Sequence, residues 1–318
     1  MWIVIRVLIG VAILFLLEYY FIRKLNRVFK TLFSDYPIKK KKVILYSFLV
    51  LLNLYPALLI FNAIYAAITK QSVAFPQNIF ADYLLLYPFW ILIIIILQVS
   101  VLFLFIDLLK LILYPFYKKH KKNLYRVQVK IFLALTLFSA VYVPARIIYD
   151  YNVVDIRSVN YSKKNLPKEL DGFKIAFISD IQADRYTDQK RLTRYIDKIN
   201  ECNPDLVLIA GDVITSTPDY IKTAAEYIGK IKSNHGVYSC VGDHDNWAYR
   251  QDYIRSLREI KKSLNDYNIE MPDNELRFID IDSSRIGITF VTNTYVSDVS
   301  ETTLKILSGL NKADFKIF

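Results

Sequence analysis

Three ionisable side chains stand in a row at Asp243, His244 and Asp245, directly behind the apolar stretch 237–241. A core has no use for adjacent charges, and an ordinary turn needs at most one Asp or Asn beside its Gly. Such a row fits a place that faces a cation or an anionic substrate. Two earlier apolar stretches end the same way. KIAFIS, residues 174–179, stops at Asp180, and LVLIA, residues 206–210, stops at Gly211-Asp212. The steps from Asp180 to Asp212 and from Asp212 to Asp243 are 32 and 31 residues. Carboxylate oxygens are the donors that hard divalent cations prefer. Two such ions about 3.5–4 Å apart, joined by a bridging group, can clamp a phosphoryl oxygen for in-line attack.

The elements that must position these residues follow from the pattern around them. Residues 174–179, 206–210 and 237–241 read as short buried strands, and helix-like segments follow at 188–201, 219–232 and 250–266. Three β–α units would then deliver one carboxylate each to the same edge of one sheet. An alternating stretch at 153–161 reads as a strand leading into them. After Pro272 the pattern changes to strands at 276–281 and 285–292, a helix at 301–310 and a last strand at 314–318. This is an α/β domain with mixed sheets.

The series Ile-Ser-Asp180, Gly-Asp212 and Gly-Asp-His-Asp at 242–245 resembles the first three motif blocks of the calcineurin-like metallophosphoesterase superfamily, over residues 174–318. The lead-in GVYSCVGDHDNW, 236–247, is similar to that of membrane-anchored bacterial members. The resemblance implies a hydrolase that uses two divalent metal ions, of Mn, Fe, Zn or Mg, and a metal-bound hydroxide to cleave a phosphate ester or phosphoanhydride. It implies that Asp212 bridges the ions, with Asp180 on one and Asp243 on the other. It gives His244 to the substrate, as stabiliser of the transition state or proton donor to the leaving oxygen, with Asp245 orienting its ring. Two positions depart from the family pattern. The first block usually reads Asp-x-His, and here it is Asp180-Ile181-Gln182. Gln182 would offer an amide oxygen, a harder donor than imidazole, which moves preference away from zinc. Asp243 stands where Asn is usual and can still coordinate. Arg185, in the loop after the first block, is a candidate phosphate contact or a surface residue.

Blander readings exist for each residue. A strand-end Asp such as Asp180 can cap the following helix, and His120 and His235 read as loop residues. The alternative function is a non-enzymatic membrane protein whose domain has become a binding or regulatory module, and Gln182 is the feature that favours it. Other chemistries lack their motifs: there is no GxGxxG, no GxxxxGK[ST] and no GxSxG in the sequence.

The first half is of another kind. Of 318 residues, 54% are hydrophobic, and the mean hydropathy is +0.26. Residues 1–150 hold 18 Lys+Arg against 5 Asp+Glu, whereas 151–318 hold 23 against 25. The basic surplus thus sits in the apolar half, where it orients helices in a bilayer, and the second half carries no basic stripe for nucleic acid. Apolar runs at 2–22, 43–68, 83–105 and 131–149 predict a four-helix transmembrane bundle over 1–150, followed by the catalytic domain over 151–318. The first run has its basic cluster behind it and no small-residue cleavage site, unlike a signal peptide. The connectors 23–42 and 118–130 are strongly basic and 69–82 is not. That places the two basic connectors in the cytoplasm and the catalytic domain outside the cell (inner) membrane. Expected partners are the lipid bilayer and a phosphorylated small molecule or lipid. Asp107, near a run's end, is the candidate intramembrane acid, and the helical half reads as an anchor. Cys202 and Cys240 fall on opposite faces of the sheet, so no disulfide is expected.

Family members continue past the third block with a strand ending in His and a later Gly-His-x-His block, which supply further metal ligands. In this sequence no His follows His244. The resemblance therefore implies a domain incomplete at its C-terminus, with weak metal binding and little or no turnover.

Overall fold

Long unbroken apolar periodicity gives long helices. In a computed structural model, which describes residues 2–69, 78–250 and 252–318, four helices fill the first half. They are α1 (Trp2–Leu32), α2 (Ile38–Thr69), α3 (Tyr87–Ile112) and α4 (Lys121–Asn152). A helix rises about 1.5 Å per residue, so each exceeds the ~30 Å of a bilayer's hydrocarbon core. By length and composition, three segments of the described residues could cross a membrane: Ile38–Asn62, Ile79–Ile112 and Lys118–Asn152. Helices α2 and α4 run through Pro56 and Pro144, as membrane helices tolerate. Most of the connector 69–82, residues 70–77, lies outside the described residues.

The chain divides into two compact units, Met1–Tyr151 and Asn152–Phe318. In the first, Phe21, Phe103 and Phe132 form a buried core, with ring centroids 5.3 Å (Phe21–Phe132) and 5.1 Å (Phe103–Phe132) apart. Large apolar side chains cover its outside, among them Leu16, Ile60, Leu111 and Phe138. A helix apolar all round needs an apolar surrounding. The polar groups inside this unit pair with one another. The Asp107 carboxylate accepts from Lys24 Nζ at 2.7 Å, Tyr20 Oη at 2.9 Å and Gln128 Nε2 at 2.7 Å. These contacts bring α1, the end of α3 and the start of α4 together, so both basic stretches lie at one end of the unit. Another acid, Glu18, is buried and accepts from Asn53 Nδ2 at 2.7 Å. It lies within the first apolar run, so the expectation that Asp107 is the candidate acid has to be widened to include it.

The second unit is built on two three-stranded sheets. Strands β1 (Ile175–Ile178), β2 (Leu206–Ile209) and β3 (Val237–Ser239) pair in parallel in that order. The central strand is buried on both faces, as all four residues of β2 are buried. Val207 and Ile209 pack against α5 (Gln189–Glu201), α6 (Ile221–Ile228) and α7 (Tyr253–Asn265). Leu206 and Leu208 face the other way, into a cluster with Ile279, Ile281, Ile286 and Phe290 of the second sheet. That sheet joins β4 (Glu275–Ile281) and β5 (Ser284–Phe290) antiparallel, then β6 (Phe315–Ile317) parallel to β5. Helix α8 (Glu301–Leu310) lies between β5 and β6 in the chain. The architecture is helices on a parallel sheet, with a mixed sheet behind it.

Two expectations change. The stretch 153–161 is not a strand; it runs mostly exposed, and pairs with no strand among the described residues. Alternation gives a strand only where an edge accepts it. The helix expected at 219–232 shortens to Ile221–Ile228, preceded by a 3-10 turn at Pro218–Tyr220. Thr217 caps that turn, its hydroxyl accepting from Asp219 N at 3.1 Å.

Candidate functional site

Parallel strands put their C-terminal ends on one edge, so β1, β2 and β3 each hand the chain to a loop on the same side. Those loops stay in contact beyond the strands. Gln182 N donates to Asp212 O at 2.8 Å, and Ala183 N to Val213 O at 3.0 Å. Asp180, Gln182 and Asp212 all take left-handed backbone, with φ of 54°, 43° and 55°. Side chains with a Cβ rarely sit there, and such outliers gather where a site fixes the backbone.

The side chains of these three residues converge. Gln182 Nε2 lies 3.5 Å from Asp180 Oδ1 and 3.4 Å from Asp212 Oδ2. The other oxygen of Asp212, Oδ1, accepts from His244 N at 2.8 Å. That contact joins the second and third loops, and glycine makes it possible. A Cβ on Gly211 would stand 2.5 Å from Gly242 N, and one on Gly242 only 2.2 Å from Asp212 Oδ1. The repeated Gly-Asp is thus a steric demand of two backbones in contact.

Asp245 does not do what was expected of it. Its carboxylate is fully buried and accepts three backbone N–H groups: Asp212 at 3.0 Å, Val213 at 2.8 Å and Gly242 at 2.9 Å. Burial pushes its pKa up to about 7, and the N–H groups of Gly242 and Val213 pull the other way. Asp245 is a positioning residue that ties the second loop to the third. The ring of His244 is oriented by another group, since its Nδ1 lies 2.5 Å from the carbonyl oxygen of Thr215. A carbonyl can only accept, so Nδ1 carries the hydrogen and Nε2 is left to exchange a proton.

Asp243 and Arg185 engage other groups. Asp243 Oδ1 accepts from the backbone N–H of Tyr295 at 2.6 Å. The Arg185 guanidinium lies over the Tyr186 ring, 4.4 Å from its centroid, and donates to the Tyr186 hydroxyl. Two site-building residues escaped the sequence reading. Thr215 orients His244 through its carbonyl and bonds Asp184 Oδ2 through its hydroxyl at 3.0 Å. Asp184 in turn accepts from Tyr186 N and Thr187 N, both at 2.7 Å, and shapes the loop carrying Arg185. A backbone carbonyl leaves no mark in a sequence, whereas the Asp184 turn has one in its residue type.

The donor set can be tested against a metal. Among the described residues no three His, Cys, Asp or Glu side chains form a ready cage. What converges is two carboxylates and an amide, an all-oxygen set once the Gln182 amide turns its oxygen inward. Such a set fits a hard divalent cation, with open positions left to water.

The second unit is similar in sequence to known proteins. Residues 173–316 match the model of the calcineurin-like phosphoesterase family. A transmembrane protein with metallophosphoesterase domain from Danio rerio is 33% identical over 116 residues, 36% of this chain and 26% of that protein. An uncharacterized metallophosphoesterase of Campylobacter jejuni is 27% identical over 175 residues, 55% of this chain and 45% of that protein. Another from Bacillus subtilis is 32% identical over 94 residues, 29% of this chain and 33% of that protein. The chain therefore spans less than half the length of each of these relatives. They come from a vertebrate as well as from bacteria, so the kinship is not confined to bacterial members. Residues 173–316, within the second unit, thus match the calcineurin-like phosphoesterase family, and three segments of the helices before them are apolar enough to cross a membrane.

Proposed function

We propose that this protein is a membrane-anchored, metal-dependent phosphoesterase acting on a phosphate ester or phosphoanhydride of a small molecule or lipid. The observation that carries the reading is the convergence of Asp180, Gln182 and Asp212 at parallel strand ends, on left-handed backbone, within the residues that match the family. Asp180, Gln182 and Asp212 would hold a first divalent ion. Asp212, with a share from Asp243, would hold a second. When bound, such ions neutralise charge on the phosphoryl oxygens and supply an activated water. The chain's own part is positional. Asp245 fixes the distance between the second and third loops. His244, with its Nδ1 hydrogen on Thr215, presents Nε2, which in the doubly protonated ring would donate its proton to the leaving oxygen. Arg185 would have to leave Tyr186 to reach a phosphate.

We place all four helices across the bilayer of the cell (inner) membrane and the second unit outside the cytoplasm. No nucleic acid is expected as partner. The second reading, a binding or regulatory module without turnover, is favoured by Gln182, whose N–H groups already bridge the two carboxylates.

Metal titration tests the site. Calorimetry of the purified chain with Mn²⁺ should give binding that Asp212→Asn abolishes and Asp180→Asn weakens. Gln182→His should raise the affinity for Zn²⁺. Hydrolysis of an aryl phosphodiester with added Mn²⁺ separates the two readings, since metal binding without turnover favours the module. Unchanged binding in both Asp212→Asn and Gln182→His would show that the site lies elsewhere.

A further inference from the structure

The helical unit ends in a cavity of about 480 Å³ lined by Lys110, Lys118, Lys119, Lys121, Lys122 and Tyr125. Five ammonium groups around one space repel one another. No Asp or Glu occurs between Asp107 and Asp150. Asp107 itself is engaged by Lys24, Tyr20 and Gln128, with Lys110 Nζ at 4.0 Å from its second oxygen. A turn of backbone gathers the charges. Helix α3 ends at Ile112, a short helical turn runs through Tyr114–Tyr117, and a 3-10 turn at Lys118–His120 leads into α4.

The surroundings say what kind of anion would fit. Leu111, Ile112 and Phe116 stand exposed beside the cavity's lysines, Phe116 at 85%. Leu111 and Ile112 end one apolar span, Ile79–Ile112, and Phe116 lies between it and the next, Lys118–Asn152, so the cavity opens where those spans would leave a bilayer. Basic groups at that level, next to an exposed apolar surface, match an anionic headgroup with its acyl chains alongside. A solvated loop alone would spread its lysines apart, whereas here Lys110 of α3 shares one cavity with Lys121 and Lys122 of α4.

We propose that this cavity is a binding site for the headgroup of an anionic phospholipid. The site is separate from the strand-end cluster and rests only on the helices meeting a bilayer. The test uses the full chain in detergent, titrated with phosphatidylglycerol, with phosphatidylcholine of the same acyl chains and with inorganic phosphate. Bound lipid is counted by native mass spectrometry. Phosphatidylglycerol should bind in preference to phosphatidylcholine. Replacing Lys118, Lys119, Lys121 and Lys122 by Gln should weaken it roughly tenfold or more. A matched variant with Lys39, Lys40, Lys41 and Lys42 replaced by Gln removes the same charge from the other basic stretch, outside the cavity lining, and should change binding little. Circular dichroism of both variants checks that the helices persist. Equal loss in the two variants would reduce the effect to bulk charge and overturn the site. So would equal binding of the two lipids, or saturation by inorganic phosphate that excludes phosphatidylglycerol. If the 118–122 variant loses its helices, the single changes Lys118→Gln and Lys122→Gln replace it, each expected to weaken binding about twofold to fivefold. No weakening in either would also overturn the site.

Discussion

At the scale of single residues, Cys240 offers a readout of the site that needs no metal. It lies two residues before Gly242, and burial raises its thiol from an ordinary 9.0 to about 11, with the Asp245 and Asp212 carboxylates adding to the rise. The sign is that of a group whose folded pKa exceeds its unfolded one. The neutral thiol's contribution to stability is complete below pH 9 and is lost as pH rises through 11. Because the thiolate is the nucleophile, alkylation of Cys240 by iodoacetamide at pH 9 should be roughly fiftyfold slower in the folded protein than in urea. The two rates should converge above pH 11. Mass spectrometry separates Cys240 from Cys202, and equal rates at pH 9 would mean the thiol is not buried beside the carboxylates. The residue scale is also where sequence reading divides. In the cluster, Asp180 and Asp212 were legible because each ends an apolar stretch, and Gln182 because it stands where the resembled pattern has His. The part played by Asp245 was not, since the three N–H groups that engage it come from backbone at 212, 213 and 242. A carboxylate beside a His suggests a dyad, and only the folded loops show that it turns away.

At the scale of elements, β2 decides whether the sheets stack. A central parallel strand is buried on both faces and reads as a continuous apolar run, which is why 206–210 was recognisable. The stretch 153–161 had a cleaner alternation and formed no strand, because no edge among the described residues takes it up. What the run in β2 could not convey is that its two faces meet different partners, helices on one side and β4–β5 on the other. Leu206 is fully buried on the sheet-facing side. Leu206→Ala should cost about 2–5 kcal/mol, from lost burial plus the cavity left behind. The edge strand β1 gives the control, since Phe177 is 69% exposed and Phe177→Ala should be near neutral. Thermal unfolding of the purified chain, followed by fluorescence, measures both. A Leu206→Ala protein as stable as the parent would mean that the second sheet does not cover β2.

At the scale of the whole molecule, charge decides orientation. The first 150 residues carry a net charge of +13 and the remainder −2. Loops rich in Lys and Arg stay in the cytoplasm, and the rule counts those cations near the span ends. In the fold both basic stretches meet at one end of the helical unit, where Lys24 reaches Asp107 and Lys110 reaches Gln128. They would therefore act together on orientation. With that end cytoplasmic, α4 carries the chain away from the cytoplasm, and residues after Asn152 emerge on the far side. An alkaline phosphatase reporter, active only outside the cytoplasm, should be active when fused after Asn152 and inactive when fused after Lys122. A fluorescent reporter that matures only in the cytoplasm should give the inverse pattern. Reversing the charge balance is the sharper check. Replacing Lys118, Lys119, Lys121 and Lys122 by Gln should raise the fraction of inverted molecules, and Lys39–Lys42 by Gln should do the same. If the reporter after Asn152 works only in the cytoplasm, the strand-end carboxylates meet cytoplasmic substrates, and the placement of the domain is reversed while its chemistry stands.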